Sequence, residues 1–89
     1  MLIDRALELH PQVALRREPF GALAYHYGNR RLLFLRHRDL VAVVESLASH
    51  ATLVGAFDAC DIAASRRPAF EAAIESMIES SMLRDRQAA

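Results

Sequence analysis

A chain of 89 residues makes one small domain and leaves no room for separate catalytic and regulatory halves. Eleven basic and eleven acidic residues cancel and the isoelectric point is about 6.9, so the electropositive surplus that drives nonspecific binding to phosphate backbones is missing. With 53% hydrophobic residues and a mean hydropathy of +0.08, the chain carries more apolar surface than one small core hides, which predicts a partner chain or self-association as a homodimer.

A single cysteine, Cys60, excludes an intrachain disulfide framework and fits a reducing compartment. No run approaches the roughly 20 apolar residues of a membrane span, and the start MLIDRALELH has neither a basic region nor a long apolar one. The sequence therefore predicts a cytoplasmic protein with no membrane contact.

Taken in chain order, residues 1–11 show weak periodicity and read as an amino-terminal arm that Pro11 closes. Gln12 to Arg17 alternates, with Val13 and Leu15 on one face, and predicts a half-buried strand. Glu18-Pro19-Phe20-Gly21 then reverses the chain, proline suiting a φ near −65° and glycine a positive φ. Ala22 to Tyr27 follows as a second strand, with Leu23, Tyr25 and Tyr27 on one side and His26 on the other. Gly28-Asn29 predicts a tight hairpin, and Arg31 to Arg36 a third strand.

That third strand is apolar on both faces, Leu33 and Leu35 against Leu32 and Phe34, so a sheet with one solvated face leaves large residues in water. Either the arm or a dimer mate covers them, or a ligand docks there. The rest is helical. Asp39 is placed to cap a helix with apolar positions Leu40, Val43, Val44 and Leu47, ending near His50. Thr52 caps a short second helix that stops around Asp61. Pro68 suits the first turn of a third helix, with Phe70, Ile74, Met77, Ile78 and Ser81 as one stripe and Glu71, Glu75 and Glu79 along much of the opposite face. The core domain is 12–83, and the tail 84–89 is expected to fray. Three antiparallel strands followed by three helices predict an α+β domain of winged-helix-turn-helix type.

Catalytic patterns are missing. His10, His26, His37 and His50 lie in different segments with no metal-ligand spacing, and Cys60 sits on an apolar helix as an inert packing thiol. Tyr25-His26-Tyr27 reads as strand packing, and Gly21, Gly28 and Gly55 form no phosphate loop. The residues leave two binding readings. In one, the helices form a DNA-reading unit with Arg66 and Arg67 at the entrance of the third helix, although its glutamates would repel phosphates. In the other, the third strand's edge accepts an extended peptide against the third helix. Backbone bonds there give about 0.5 to 1.5 kcal/mol each against the roughly 8 of micromolar binding, so apolar anchors must supply the difference. Arg30, Arg31 and Arg36 flank the strand, where they pair with acidic peptide residues or form a solvated rim.

The segments HPQVALR, FGALAYHYG and RRLLFL, followed by DLVAVVESLASH, carry a close resemblance from Leu9 to His50 to the peptide-chaperone family of mycofactocin biosynthesis. That family lies in the PqqD-like group of precursor-peptide recognition elements; departures such as Arg17 fall in less telling places. The resemblance implies a non-catalytic winged-helix domain with no cofactor of its own. It would bind a ribosomally made precursor peptide as an added strand and present it to a radical S-adenosylmethionine maturase with iron-sulfur clusters, which modifies the Val-Tyr end of the peptide. On this sequence the implied groove is Arg31, Leu32, Leu33, Phe34, Leu35 and Arg36 on one wall and Phe70, Ala73, Ile74, Met77 and Ile78 on the other. A DNA-binding regulator and a structural subunit of the maturase are the alternatives.

Overall fold

A computed structural model describes residues 1–86. After a 3₁₀ turn at Leu2–Asp4, the chain runs through β1 (Leu7–Leu9), β2 (Val13–Glu18), β3 (Gly21–His26), β4 (Leu32–Leu35), α1 (Arg38–Ser46), α2 (Leu53–Ala59), α3 (Arg67–Glu79) and β5 (Leu83–Asp85). The fold is α+β: an antiparallel sheet in the order β2-β3-β4 is followed by three helices, an arrangement loosely of winged-helix type.

Alternation decides which face of the sheet is covered. The register places Val13, Leu15, Ala22, Ala24, His26, Leu33 and Leu35 on one face. Ala22 and Ala24 are fully buried, and Leu35 is close to it. Their counterparts in the helices are Leu40, Val43, Val44 and Leu47, whose predicted spacing forms the buried side of α1 and its 3₁₀ extension Leu47–Ser49. Phe57 of α2 and Phe70, Ile74 and Met77 of α3 complete the core.

Turn chemistry fixes the hairpins. Gly21 has φ +148°, and a Cβ there would collide with the carbonyl oxygen of Leu35. Glycine is therefore required where β3 begins to pair with β4. At the second turn the positive φ belongs to Arg30 (61°) rather than to Gly28-Asn29. The turn is wound around polar side chains instead. The buried His26 Nδ1 accepts from the N–H groups of Gly28 and Asn29 at 3.0 and 3.1 Å, and Asn29 Oδ1 accepts from the Arg31 N–H at 2.9 Å. His10 stacks on His26 with ring centroids 4.5 Å apart. Desolvation, with the His26 ring and Arg84 adding to it and Glu8 opposing, holds His10 below its ordinary value.

One helix start differs in detail from the expectation. Thr52 caps α2 as expected, its Oγ1 accepting from the Gly55 N–H at 3.2 Å. For α1 the cap is His37, and Asp39 lies within the first turn, bonded to Arg66 at 2.6 Å. A carboxylate there still faces the positive end of the helix dipole.

The ends of the chain meet. Residues of the expected arm pair antiparallel with Leu83 and the first residues of the expected tail, Leu7 opposite Asp85 and Leu9 opposite Leu83. Arg5 holds Asp85 through two bonds of 2.8 and 2.7 Å, which keeps that carboxyl below its ordinary value, and Arg84 reaches Glu8 at 2.8 Å. Arg86 donates to the carbonyls of Leu47, Ala48 and His50 at 3.1, 2.7 and 2.6 Å, satisfying the end of the α1 segment. Leu7 and Leu83 are each 1% exposed, so this pair of strands is anchored in the core. The fraying expected of 87–89 lies outside the described residues.

Gly21→Ala should lower unfolding stability by about 2 kcal/mol or more, from the left-handed backbone and the collision with β4, as measured by urea denaturation.

Candidate functional groove

Among the described residues the edge of β4 away from β3 is unpaired, since the sheet ends there. The His26 N–H donates to the Arg31 carbonyl at 3.0 Å, which sets the phase of the ladder. With Ala24 opposite Leu33 and Ala22 opposite Leu35, the odd-numbered residues of β4 spend their backbone groups on β3. Leu32 and Phe34 therefore aim N–H and C=O away from the sheet. A short edge strand of this kind is a template for a further strand.

Beside this edge runs a groove whose other wall is α3. Its first part, about 310 Å³, lies between Leu33, Phe34 and Leu35 of β4 and Ala69, Phe70 and Ala73 of α3. A second part, about 430 Å³, continues past Leu33 and Ser76 to Arg31, Glu79 and Ser80. Small side chains at Ala69, Ala73, Ser76 and Ser80 keep the helix wall low, and Phe70 makes an apolar floor. Phe70 is 4% exposed and is locked by His37 at 5.9 Å, Phe57 at 6.5 Å and the Arg66 guanidinium 4.9 Å from its ring centre. At one end Asn29 Nδ2 donates to the Ser80 carbonyl at 3.1 Å, tying the β3–β4 turn to the end of α3.

The expected groove residues separate into three groups. Arg31 to Arg36, Phe70 and Ala73 do line the cleft. Ile74 and Met77 are fully buried and back the helix wall from inside the core, with no surface left for a ligand. Ile78 lines a different cleft, with Arg5, His10 and Leu83. The apolar stripe of α3 marks its core side, and the neighbouring Ala and Ser positions that shape the groove carry no hydrophobic signal.

The other face of the sheet is apolar and open. Leu23 pairs with Phe34 and Tyr25 with Leu32 across β3 and β4, and Phe34 and Leu32 are each 52% exposed. Phe20 in the turn lies 5.9 Å from Phe34, and Tyr25 of β3 meets Tyr27, just past the strand's end, edge to face at 5.0 Å. Among the described residues neither the arm nor anything else covers Leu32 and Phe34, because the arm is engaged with β5.

A cleft of about 410 Å³ between the first turn and α1 is similar in size to the parts of the groove, but Arg17 in its wall is engaged by Glu45. Arg66 and Arg67, which a DNA-reading helix would need free, bind Asp39 at 2.6 Å and Asp58 at 2.8 Å, and Arg67 also donates to the Ile62 carbonyl at 2.9 Å. Among the described residues no three His, Cys, Asp or Glu side chains come together as metal ligands. No helix there is long and apolar enough to cross a membrane.

A small α+β fold with an open strand edge beside a helix-walled groove is the class of structure these residues define. The sequence model of the Peptide chaperone MftB family matches residues 6–84, and the chain belongs to that family. Proteins named Peptide chaperone MftB from Mycolicibacterium smegmatis and Mycobacterium ulcerans are 44% and 45% identical over 80 residues. These alignments cover 90% of this chain and 78% and 73% of those proteins. A protein of the same name from Mycobacterium tuberculosis is 60% identical over 47 residues, 53% of this chain and 43% of its own length. The role for which these relatives are named is not catalytic, and the chain is not an enzyme. No solved structure matches it significantly.

Ile74→Ala should lower unfolding stability by about 2 to 5 kcal/mol through the cavity left in the core. Ser76→Ala, on the groove side of the same helix, should change it by less than about 0.5 kcal/mol. Equal effects in denaturant titrations would place the groove on the wrong side of α3.

Proposed function

We propose that this chain is a peptide chaperone of mycofactocin biosynthesis, which takes a ribosomally made precursor peptide as an added strand on the open edge of β4 and delivers it to a radical S-adenosylmethionine maturase. The observation that carries this reading is the pair of outward-facing backbone sites at Leu32 and Phe34 beside a groove with an apolar floor. A strand added there gains backbone bonds along β4 and buries alternate side chains over Phe70 and Ala73. The other side chains lie alongside Leu32 and Phe34 on the outer face. Both faces of the added strand thus meet apolar surface, which supplies the anchors that backbone bonds alone cannot.

The names of the relatives support the peptide-binding role. The maturase as recipient, and the cytoplasm as location, follow from the resemblance to precursor-peptide recognition elements. The engaged state of Arg66 and Arg67 counts against the DNA-binding alternative. The open apolar outer face favours one further protein contact, made with the maturase or with a second copy of the chain.

Titration of labelled precursor peptide into Phe34→Pro and Phe34→Ala tests the groove. Both lose the ring, but only proline removes the outward N–H, and an edge position tolerates it. Phe34→Pro should bind about tenfold more weakly than Phe34→Ala, with circular dichroism confirming that both fold. Equal binding by the two folded variants would contradict strand addition.

A further inference from the structure

Every one of the eleven basic residues is an arginine. Six pair with carboxylates: Arg5, Arg16, Arg17, Arg66, Arg67 and Arg84. Arg38 donates to the Pro19 carbonyl and Arg86 to three others. Among the described residues the side chains of the remaining three, Arg30, Arg31 and Arg36, have no partner, and all three are exposed. They stand at the two ends of β4, so the arginines of a neutral chain that have no side-chain partner among the described residues are gathered around its open edge.

We propose that the recognised segment is an extended apolar stretch carrying two carboxylates five residues apart, one read by Arg31 and the other by Arg36. This rests on the groove reading above and adds the ligand's charge pattern to it. Arg31 opens into the part of the groove shared with Ser76 and Glu79, on the α3 side. Arg36 borders the end of the groove's first part and lines the cavity of about 420 Å³ with Phe20 and Phe34, so it also reaches the outer face. In an extended chain five residues cover about 17 Å and put their side chains on opposite faces, the same separation in residues as that between the two arginines. A guanidinium fork meets a carboxylate through two parallel bonds, and an unpaired arginine makes no internal bond that a ligand must first break. Arg30, fixed at positive φ in the turn, adds charge at the same end as Arg31.

Glu79 gives the account an opposing handle. It shares the cavity of Arg31 without an ion pair to it, so it repels an incoming carboxylate.

The test uses the full chain, labelled precursor peptide, and the same peptide with every Asp and Glu changed to the amide, titrated at low and at physiological salt. Arg31→Gln and Arg36→Gln should each weaken binding of the acidic peptide by roughly two- to fivefold, the range of an exposed ion pair, and combine multiplicatively because they lie far apart. Glu79→Gln should tighten it. The amide peptide should bind more weakly and respond to neither arginine substitution, and the loss should shrink as salt rises. Unchanged melting temperatures would confirm that the exposed substitutions leave the fold intact. If the acidic and amide peptides bind alike, or the arginine variants bind like the parent while Phe34→Pro still fails, the charge pattern is overturned and the groove stands. If the parent chain binds neither peptide, the groove reading falls and this proposal with it.

Discussion

β4 is an edge strand, paired with β3 alone among the described residues, and the rest of the structure is arranged to hold it there. β4 gives its odd-numbered residues to the fold: Leu33 and Leu35 turn their side chains inward and their backbone groups toward β3. Its even-numbered residues remain unspent in both respects. Period-two alternation allows one four-residue segment to be core on one face and open on the other. Gly21 brings β3 against the Leu35 carbonyl, and Leu40 and Phe70 close over the buried side.

The helix across the groove is positioned by contacts remote from it. The Met82 N–H donates to the Met77 carbonyl at 2.8 Å and Ser81 turns the chain at positive φ, so α3 leads directly into β5. β5 is fastened to β1 by pairing and by the Arg5–Asp85 and Arg84–Glu8 ion pairs, both at least partly exposed and each contributing modestly. Leu7, Met82 and Leu83 beneath them supply apolar burial. A domain this small gains rigidity by joining its first and last strands, which fixes the far wall of the groove relative to the sheet.

The sequence exposes these features unevenly, for physical reasons. The strands of the meander and the buried spacing of α1 were legible because alternation and helical period each persist over several residues. The β1–β5 pair was not, because three-residue strands contain too little pattern and their partners lie at opposite ends of the chain. Asp39 resembles a cap by type, yet its position inside the first turn follows from its partner Arg66, which no local signal reveals. Within α3 the apolar stripe is a continuous face, of which Phe70 reaches the cleft. Ile74 and Met77 serve the core, while small residues beside them make the cleft. The doubly apolar β4 pointed to the edge itself, and only the ladder phase distinguishes Leu32 and Phe34 from Leu33 and Leu35.

That distinction is what amide hydrogen exchange measures residue by residue. In the free protein the amides of Leu33 and Leu35 should exchange slowly and those of Leu32 and Phe34 quickly. Adding precursor peptide should slow Leu32 and Phe34 and leave the other two little changed. Saturating peptide that leaves the Leu32 and Phe34 amides exchanging as before would contradict strand addition at β4.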